Sequence, residues 1–177
     1  MRVRPSIFFA LTPLLVAGCY NLARTEEPVA STSVVRSDGS VAGTMRVFQE
    51  ATGVLLRIDA RGLPPGMHGV HVHAVGRCDP PGFITAGPHW NPTSRQHGHQ
   101  NPAGWHGGDL GNLGVGADGR LVAGLLVPNA KLHPGGVIDL PLLRDGDGSS
   151  LVLHARPDDE RTDPSGNSGD RIACAVI

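Results

Sequence analysis

The stretch from Gly66 to Asp109 carries side chains that could hold a metal ion. This region is rich in glycine and proline, and five of its histidines and one of its aspartates are candidate ligands: His71, His73, His89, His97, His106 and Asp109. Imidazole nitrogens and carboxylate oxygens are ligands that zinc accepts in proteins. The residue types and their concentration therefore predict a metal site in this part of the chain.

His71 and His73 belong to the segment GMHGVHVH, in which apolar and polar residues alternate as they do on a β-strand. Because neighbouring side chains of a strand point to opposite faces, these two imidazoles share a face and can share one ion. Paired histidines also occur as hydrogen-bonded or surface residues, so the pair alone leaves both interpretations open.

The segment from Ala86 to Asn112 shows neither helical nor strand periodicity. A long irregular loop is uncommon in a compact domain unless something ties it down. Three imidazoles and one carboxylate would do so, and they match the tetrahedral nitrogen and oxygen coordination of zinc. The alternative is a solvated, histidine-rich loop.

Several longer motifs resemble the copper/zinc superoxide dismutases. They are GMHGVHVH, AGPHWNP, the pair His97-Gly98, HGGDLGN, LVLH ending at His154, and GNSGDRIAC ending at Cys174. The similarity runs from about Val34 to the C-terminus. It implies an antioxidant enzyme that converts superoxide to oxygen and hydrogen peroxide at a copper centre alternating between Cu(II) and Cu(I), with zinc in a structural role.

The resemblance also implies which residues hold each metal. Copper would be held by His71, His73, His89 and His154. Zinc would be held by His89, His97, His106 and Asp109. His89 would bridge the two ions as an imidazolate, because two flanking dications favour the anionic ring.

Three further roles follow from the same resemblance. Arg171 would lie beside copper and orient the superoxide anion. Asp158 would accept hydrogen bonds from one histidine of each metal set. Cys78 and Cys174 would form a disulfide, which an oxidising compartment allows to persist. For Lys131 two interpretations stay open, a charge that steers anions and a solvated loop residue.

The N-terminal residues predict export. A basic start and the apolar run Ile7 to Gly18 are typical of a signal peptide, here residues 1–18. Small residues before Cys19 resemble a bacterial lipoprotein signal, which implies a lipid on Cys19 and attachment to a bilayer in the bacterial cell envelope, in the periplasm or another extracytoplasmic compartment. Cleavage nearby, leaving a free thiol, is the alternative. Residues 19–33 are predicted to be the anchor and a flexible tether, and residues 34–177 one enzyme domain.

Short apolar or alternating runs separated by Gly, Pro, Asn and Asp predict the strands 41–48, 54–60, 69–74, 121–127, 150–154 and 172–176. Long amphipathic helices are not predicted. The pattern indicates an all-β fold, a Greek-key β-barrel or sandwich of immunoglobulin-like type with long metal-binding loops.

Charge excludes one class of partner. The chain has 15 basic and 16 acidic residues, and removal of Arg2 and Arg4 with the signal leaves 13 against 16, a net charge of about −3. Nucleic acid is therefore not expected as a partner. Monomer and homodimer both stay open. The functional alternatives are a copper-binding or copper-delivery module of the same fold and a catalytically inactive binding module.

Overall fold

Eight antiparallel strands make up most of the regular structure in this computed structural model, which describes residues 27–136 and 139–177. The predicted signal peptide and Cys19 lie outside these residues. The strands are β1 Ala30–Arg36, β2 Val41–Glu50, β3 Gly53–Ala60, β4 Gly66–His73, β5 Asp109–Val115, β6 Leu121–Pro128, β7 Ser150–His154 and β8 Arg171–Val176. A short 3-10 turn spans Ile84–Ala86. Within the described ranges, no helix is long and apolar enough to cross a bilayer.

The strands form one sheet in the order β5-β4-β7-β8-β1-β2-β3-β6. Because the two end strands, β5 and β6, also pack against each other, the sheet curls into a nearly closed barrel. Hairpins join β1 to β2 and β2 to β3, whereas the chain crosses over between β3 and β4 and between β6 and β7. These crossovers confirm the predicted all-β, Greek-key class.

The core of the barrel is made of aliphatic side chains from almost every strand. Val47, Val54, Leu56, Val70 and Val127 are fully buried in it. On β4, Val70 and Val72 belong to this core, while His71 and His73 alternate with them. The predicted alternation is therefore correct. All four side chains are buried, because loops cover the histidine-bearing side of the strand.

Two strands were not predicted. β1 begins at Ala30, inside the predicted tether, and residues 30–33 pair with β2 from Val47 to Thr44. Its small polar residues ASTS carry little hydrophobic pattern, so only the pairing reveals the strand. β5, Asp109–Val115, contains two glycines that weaken strand propensity. It forms because β4 supplies its hydrogen-bonding partner.

The ligand-bearing strands lose regular register next to their histidines. The β4–β5 ladder shifts between Gly69 and His71, and the β7–β8 ladder shifts between Leu153 and His154. Such bulges bend a strand and redirect a side chain, and they are frequent next to active sites. Both shifts lie where a histidine has to leave the regular pleat to meet the others.

The predicted disulfide is present. Cys78, in the loop after β4, is bonded to Cys174 on β8 with a Cα–Cα distance of 5.6 Å. Cys174 is three residues from Arg171 on the same strand. The bond therefore links the loop that follows His71 and His73 to the strand that carries Arg171.

Candidate metal centre

The structure brings all seven predicted ligand residues into one buried cluster. His71 and His73 come from β4, His154 from the end of β7 and Asp109 from the start of β5. His89, His97 and His106 come from the loop between β4 and β5. Each of the seven side chains is less than 10% exposed. A sheet and a loop thus supply one centre jointly.

The copper set, His71, His73, His89 and His154, has ligand atoms that all lie within 4.8 Å of one another. One ring nitrogen of each histidine is buried without a hydrogen-bond partner among the described residues: His71 Nδ1, His73 Nε2, His89 Nε2 and His154 Nε2. An unpaired buried nitrogen is costly, and four that converge are unusual. Four unpaired nitrogens this close together fit a bound cation, which would satisfy all of them.

Hydrogen bonds from the opposite ring nitrogens fix the direction of these lone pairs. His73 Nδ1 lies 2.8 Å from the carbonyl oxygen of Gly87, and His154 Nδ1 lies 3.1 Å from that of Gly169. Because a carbonyl only accepts, each Nδ1 must carry the proton and each Nε2 must be the bare nitrogen. Both rings therefore present the form of imidazole that ligates a metal.

The zinc set, His89, His97, His106 and Asp109, surrounds one carboxylate oxygen. Asp109 Oδ1 lies 2.9 Å from His89 Nδ1 and 3.1 Å from the Nδ1 atoms of His97 and His106. His106 Nδ1 is 3.3 Å from His89 Nδ1. The other oxygen, Oδ2, accepts the backbone N–H groups of Gly98 and His106. Three nitrogens and one oxygen at such separations match the donor set of a tetrahedral zinc site.

His89 lies between the two sets. Its Nδ1 faces Asp109, and its Nε2 is one of the four bare nitrogens of the copper set. The ring is 4.1 Å from that of His71, centroid to centroid, and 5.2 Å from that of His97. The ligand atoms of His71, His89, His97 and Asp109 also lie within 4.8 Å of one another, but His71 Nε2 is hydrogen-bonded to Asp158. His89 alone offers one nitrogen to each set.

Asp158 joins the two sets from the outside. Its Oδ2 accepts a hydrogen bond from His71 Nε2 at 2.8 Å, and its Oδ1 accepts one from His97 Nε2 at 3.0 Å. These bonds leave the Nδ1 atoms of both histidines bare for ligation. The sequence-based role of Asp158 thus has a matching geometry.

Two residues that the sequence analysis did not single out hold Asp158 in place. The Asn112 side chain accepts the N–H of Asp158 at 2.7 Å and donates to its carbonyl at 2.9 Å. At Gly166, which has a φ of +60°, an added Cβ would lie 1.7 Å from Asp158 Oδ1. No side chain fits there. Asn112 closes the motif HGGDLGN, which was the available signal for it.

Burial determines the pKa values of two copper-set histidines, whereas neighbouring carboxylates determine the pKa of His97 in the zinc set. Burial lowers the pKa of His73 to about 2 and that of His154 to about 3, so both rings are neutral at pH 7. Burial alone would also lower the pKa of His97, but Asp109 and Asp158 outweigh it and raise that pKa to about 9. In turn, the histidines hold the pKa of Asp109 well below its usual range against the effect of burial. Without metal, the zinc set retains a proton that the copper set excludes.

Arg171 lies beside the copper set. Its Nη1 donates to the carbonyl of Phe83 at 2.7 Å and its Nη2 to the carbonyl of Gly87 at 2.8 Å. It lines a pocket of about 530 Å³ together with His73, His89 and His154. Ile84, Pro88 and Pro164 complete much of the wall. The pocket thus combines one fixed positive charge, a largely apolar rim and three members of the copper set.

The remaining three histidines and Lys131 lie outside this pocket. His68 is buried, with its two ring nitrogens 2.8 Å from the carbonyl oxygens of His154 and Pro64. It is a structural residue. His99 is partly exposed next to Glu160, and His133 is exposed. Lys131 lies near Asp139 and does not line the pocket. The geometry favours the interpretation of Lys131 as a loop charge.

Comparisons with known proteins find a matching family and similar chains. Residues 41–177 match the family model described as copper/zinc superoxide dismutase. A curated superoxide dismutase [Cu-Zn] from Caulobacter vibrioides is 42% identical over 84% of this chain and 85% of its own length. One from Aquifex aeolicus is 36% identical over 92% and 95%.

Solved structures are similar as well. A crystal structure of an SOD-like protein from Bacillus subtilis covers 83% of this chain and 97% of that chain, with a TM-score of 0.77 and 37% identity. The Cu/Zn superoxide dismutase from Brucella abortus covers 84% and 98%, with a TM-score of 0.64 and 25% identity.

Proposed function

This chain belongs to the copper/zinc superoxide dismutase family, and we propose that the buried histidine cluster is its catalytic centre. The enzyme converts superoxide to oxygen and hydrogen peroxide, and its cofactors are copper and zinc. The observation that carries the residue-level proposal is that four histidines, each with a buried and unpaired ring nitrogen, place their ligand atoms within 4.8 Å of one another. The family alone gives the reaction, whereas these nitrogens indicate where in this chain it takes place.

In this proposal, His71, His73, His89 and His154 hold copper, and His89, His97, His106 and Asp109 hold zinc. Bound copper supplies a one-electron couple, and bound zinc supplies positive charge without redox chemistry. The backbone carbonyls of Gly87 and Gly169 keep the bare nitrogens directed inward. Asp158 does the same for one histidine of each set.

Arg171 is proposed to attract and orient the superoxide anion. Its two carbonyl contacts fix the guanidinium at the wall of the pocket, and its remaining N–H groups, which have no partner among the described residues, can bind an anion. Because the whole chain is slightly acidic, attraction of an anion has to come from such a local charge. Reduction of superoxide to hydrogen peroxide also consumes two protons, and His89 Nε2 would hold one of them whenever it is not bound to copper.

The test is reconstitution of residues 20–177 with copper and zinc, followed by an assay of superoxide removal. We expect Arg171→Ala to retain both metals and to lose about 10- to 100-fold in kcat/KM, since one charged contact to the substrate disappears. Full metal loading of the unmodified enzyme without activity would favour the copper-binding or copper-delivery alternative. Unchanged activity in the variant would refute the role of Arg171.

The disulfide and the bacterial relatives indicate an extracytoplasmic protein. We further propose that Cys19 is lipidated and tethers the enzyme to a membrane of the cell envelope, where it removes superoxide. The apolar run before Cys19 and the small residues next to it support this. Mass spectrometry of the mature N-terminus from the membrane fraction should find diacylglycerol on Cys19, and Cys19→Ser should release the enzyme. A soluble chain with a free Cys19 would contradict the anchor.

A further inference from the structure

Phe83 combines two features that seldom occur together. Its side chain is fully buried, and its backbone is left-handed, with φ 49° and ψ 31°. A bulky residue other than glycine is disfavoured in this region, because its Cβ crowds the following carbonyl group. Such a conformation persists only where the surroundings impose it, and it is concentrated at functional sites. Something therefore holds Phe83 in place.

The side chain belongs to a small hydrophobic cluster that is separate from the barrel core. Its buried members are Phe83, Ala86, Val152 and Cys174. Val35 and Cys78 pack at its edge. Since Cys78 and Cys174 form the disulfide, the phenyl ring lies in a pocket made of strand side chains and the cross-link. The pocket fixes where the ring sits, and with it the backbone of residue 83.

The backbone of Phe83 in turn contacts Arg171, the residue proposed to orient superoxide. Its carbonyl oxygen accepts Arg171 Nη1 at 2.7 Å and the N–H of Ala86 at 3.1 Å. The 3-10 turn that follows carries the chain to Gly87, whose carbonyl accepts both Arg171 Nη2 and His73 Nδ1. One short segment, residues 83–87, therefore fixes the guanidinium and a copper-set ring together. The position of the segment depends on its largest side chain.

We propose that Phe83 is a positioning residue for Arg171. Burial of its ring maintains the left-handed turn, and that turn aims the carbonyl that holds the guanidinium at the pocket wall. The proposal rests on the proposed role of Arg171 in binding superoxide. Phe83 does not line the pocket of Arg171 and acts through the arginine.

Three substitutions separate the effect of packing the Phe83 ring from the effect of its left-handed backbone. Phe83→Ala removes the packing and keeps the backbone penalty. Phe83→Gly removes the packing but accepts a φ of 49° without strain. Phe83→Leu keeps most of the buried volume. The matched control is Phe48→Ala, which truncates a buried phenylalanine on β2 that packs under Arg57.

The principal measurement is the rate at which phenylglyoxal modifies Arg171, followed by peptide mass spectrometry on the metal-loaded and the metal-free enzyme. A guanidinium with both terminal nitrogens engaged reacts slowly. We expect about a tenfold faster rate in Phe83→Ala and in Phe83→Gly, corresponding to the loss of one charged hydrogen bond. The value of kcat/KM should fall about tenfold in parallel at unchanged metal content. Phe83→Leu should lie close to the unmodified enzyme, as should Phe48→Ala even if its Tm falls.

Several results would overturn the proposal. Wild-type reactivity of Arg171 in both Phe83→Gly and Phe83→Ala would show that the ring does not hold the turn. A rate in Phe48→Ala equal to that in Phe83→Ala would attribute the effect to general loosening. If Phe83→Ala does not fold, the rate of Arg171 modification in Phe83→Gly and in Phe83→Leu tests the proposal instead. Should Arg171→Ala itself keep full activity, the steering role fails, while the modification rate still reports whether Phe83 positions the arginine.

Discussion

The copper set and the zinc set share His89 but are built on different parts of the fold. Two adjacent strands, β4 and β7, carry the other copper-set histidines, and neutral backbone carbonyls orient two of them. The zinc set comes from 21 consecutive residues, His89 to Asp109, which form the loop between β4 and β5 and the first residue of β5. The carboxylate of Asp109 contacts all three imidazoles. The comparison teaches that barrel packing organises the copper set, whereas charge organises the zinc set.

The largest expected effect comes from removing a copper-set histidine that does not itself belong to the zinc set. His154→Ala should reduce superoxide removal to background, because the three remaining nitrogens no longer close the copper site. Zinc should remain at full occupancy. Metal analysis and activity on the same sample check this. His133→Ala, at an exposed position, is the control. Loss of zinc in His154→Ala would show that the two sets are not separately built.

Asp158→Asn should weaken both sets at once. The amide cannot accept two N–H groups as the carboxylate does, so the rings of His71 and His97 lose their fixed tautomers. We expect zinc and copper affinities to fall about 10- to 100-fold. Chelator competition measures both. Asp147→Asn, on an exposed loop, is the control for the charge change. An effect on one metal alone would contradict a shared support.

The stability of the metal-free enzyme should depend on pH in opposite directions for the two sets. The folded-state pKa values of His73 and His154 lie below the unfolded value of 6.5, at about 2 and about 3. The unfolded chain therefore binds more protons in that window, and stability falls as pH drops below 6.5. His97 has a raised pKa of about 9, so its contribution is complete below pH 6.5 and is lost between 6.5 and about 9.

Urea unfolding between pH 4 and pH 9.5 tests both the acid and the alkaline loss of stability, over roughly the range in which these groups titrate. We expect the metal-free enzyme to be most stable near pH 6.5, with respect to these groups. Bound zinc should abolish the alkaline loss, since it takes the place of the proton on His97. An alkaline limb that persists unchanged with zinc bound would assign that loss to other groups.

The smallest effect on kcat/KM is expected at Lys131, which belongs to neither metal set. Its ammonium group is 3.4 Å from Asp139 and outside the pocket of Arg171. Lys131→Ala should leave kcat/KM within about twofold at low and high salt, because a charge that is paired and does not line the pocket contributes little to steering. Stopped-flow assays at two ionic strengths test this. A tenfold loss confined to low salt would restore the steering interpretation.

Much of the fold and of the site could be predicted, and the failures have identifiable causes. Alternating apolar residues predicted β2, β3, β6 and β7 with small errors at their ends. β1 and β5 could not be predicted, because their polar residues and glycines form strands only when a neighbour pairs with them. Asn112 and Phe83 were not predicted for a similar reason. Their roles arise from contacts with Asp158 and Arg171, 46 and 88 residues away.

The sequence by itself determined the chemical identity of the centre: six histidines and one aspartate, the disulfide pair and the family to which they belong. The residue types alone restrict the donor atoms, so this much needs no coordinates. Only the tertiary structure decided which nitrogen of each ring is bare. That choice depends on the partner of the opposite nitrogen, and those partners, Gly87, Gly169 and Asp158, are brought into place by folding.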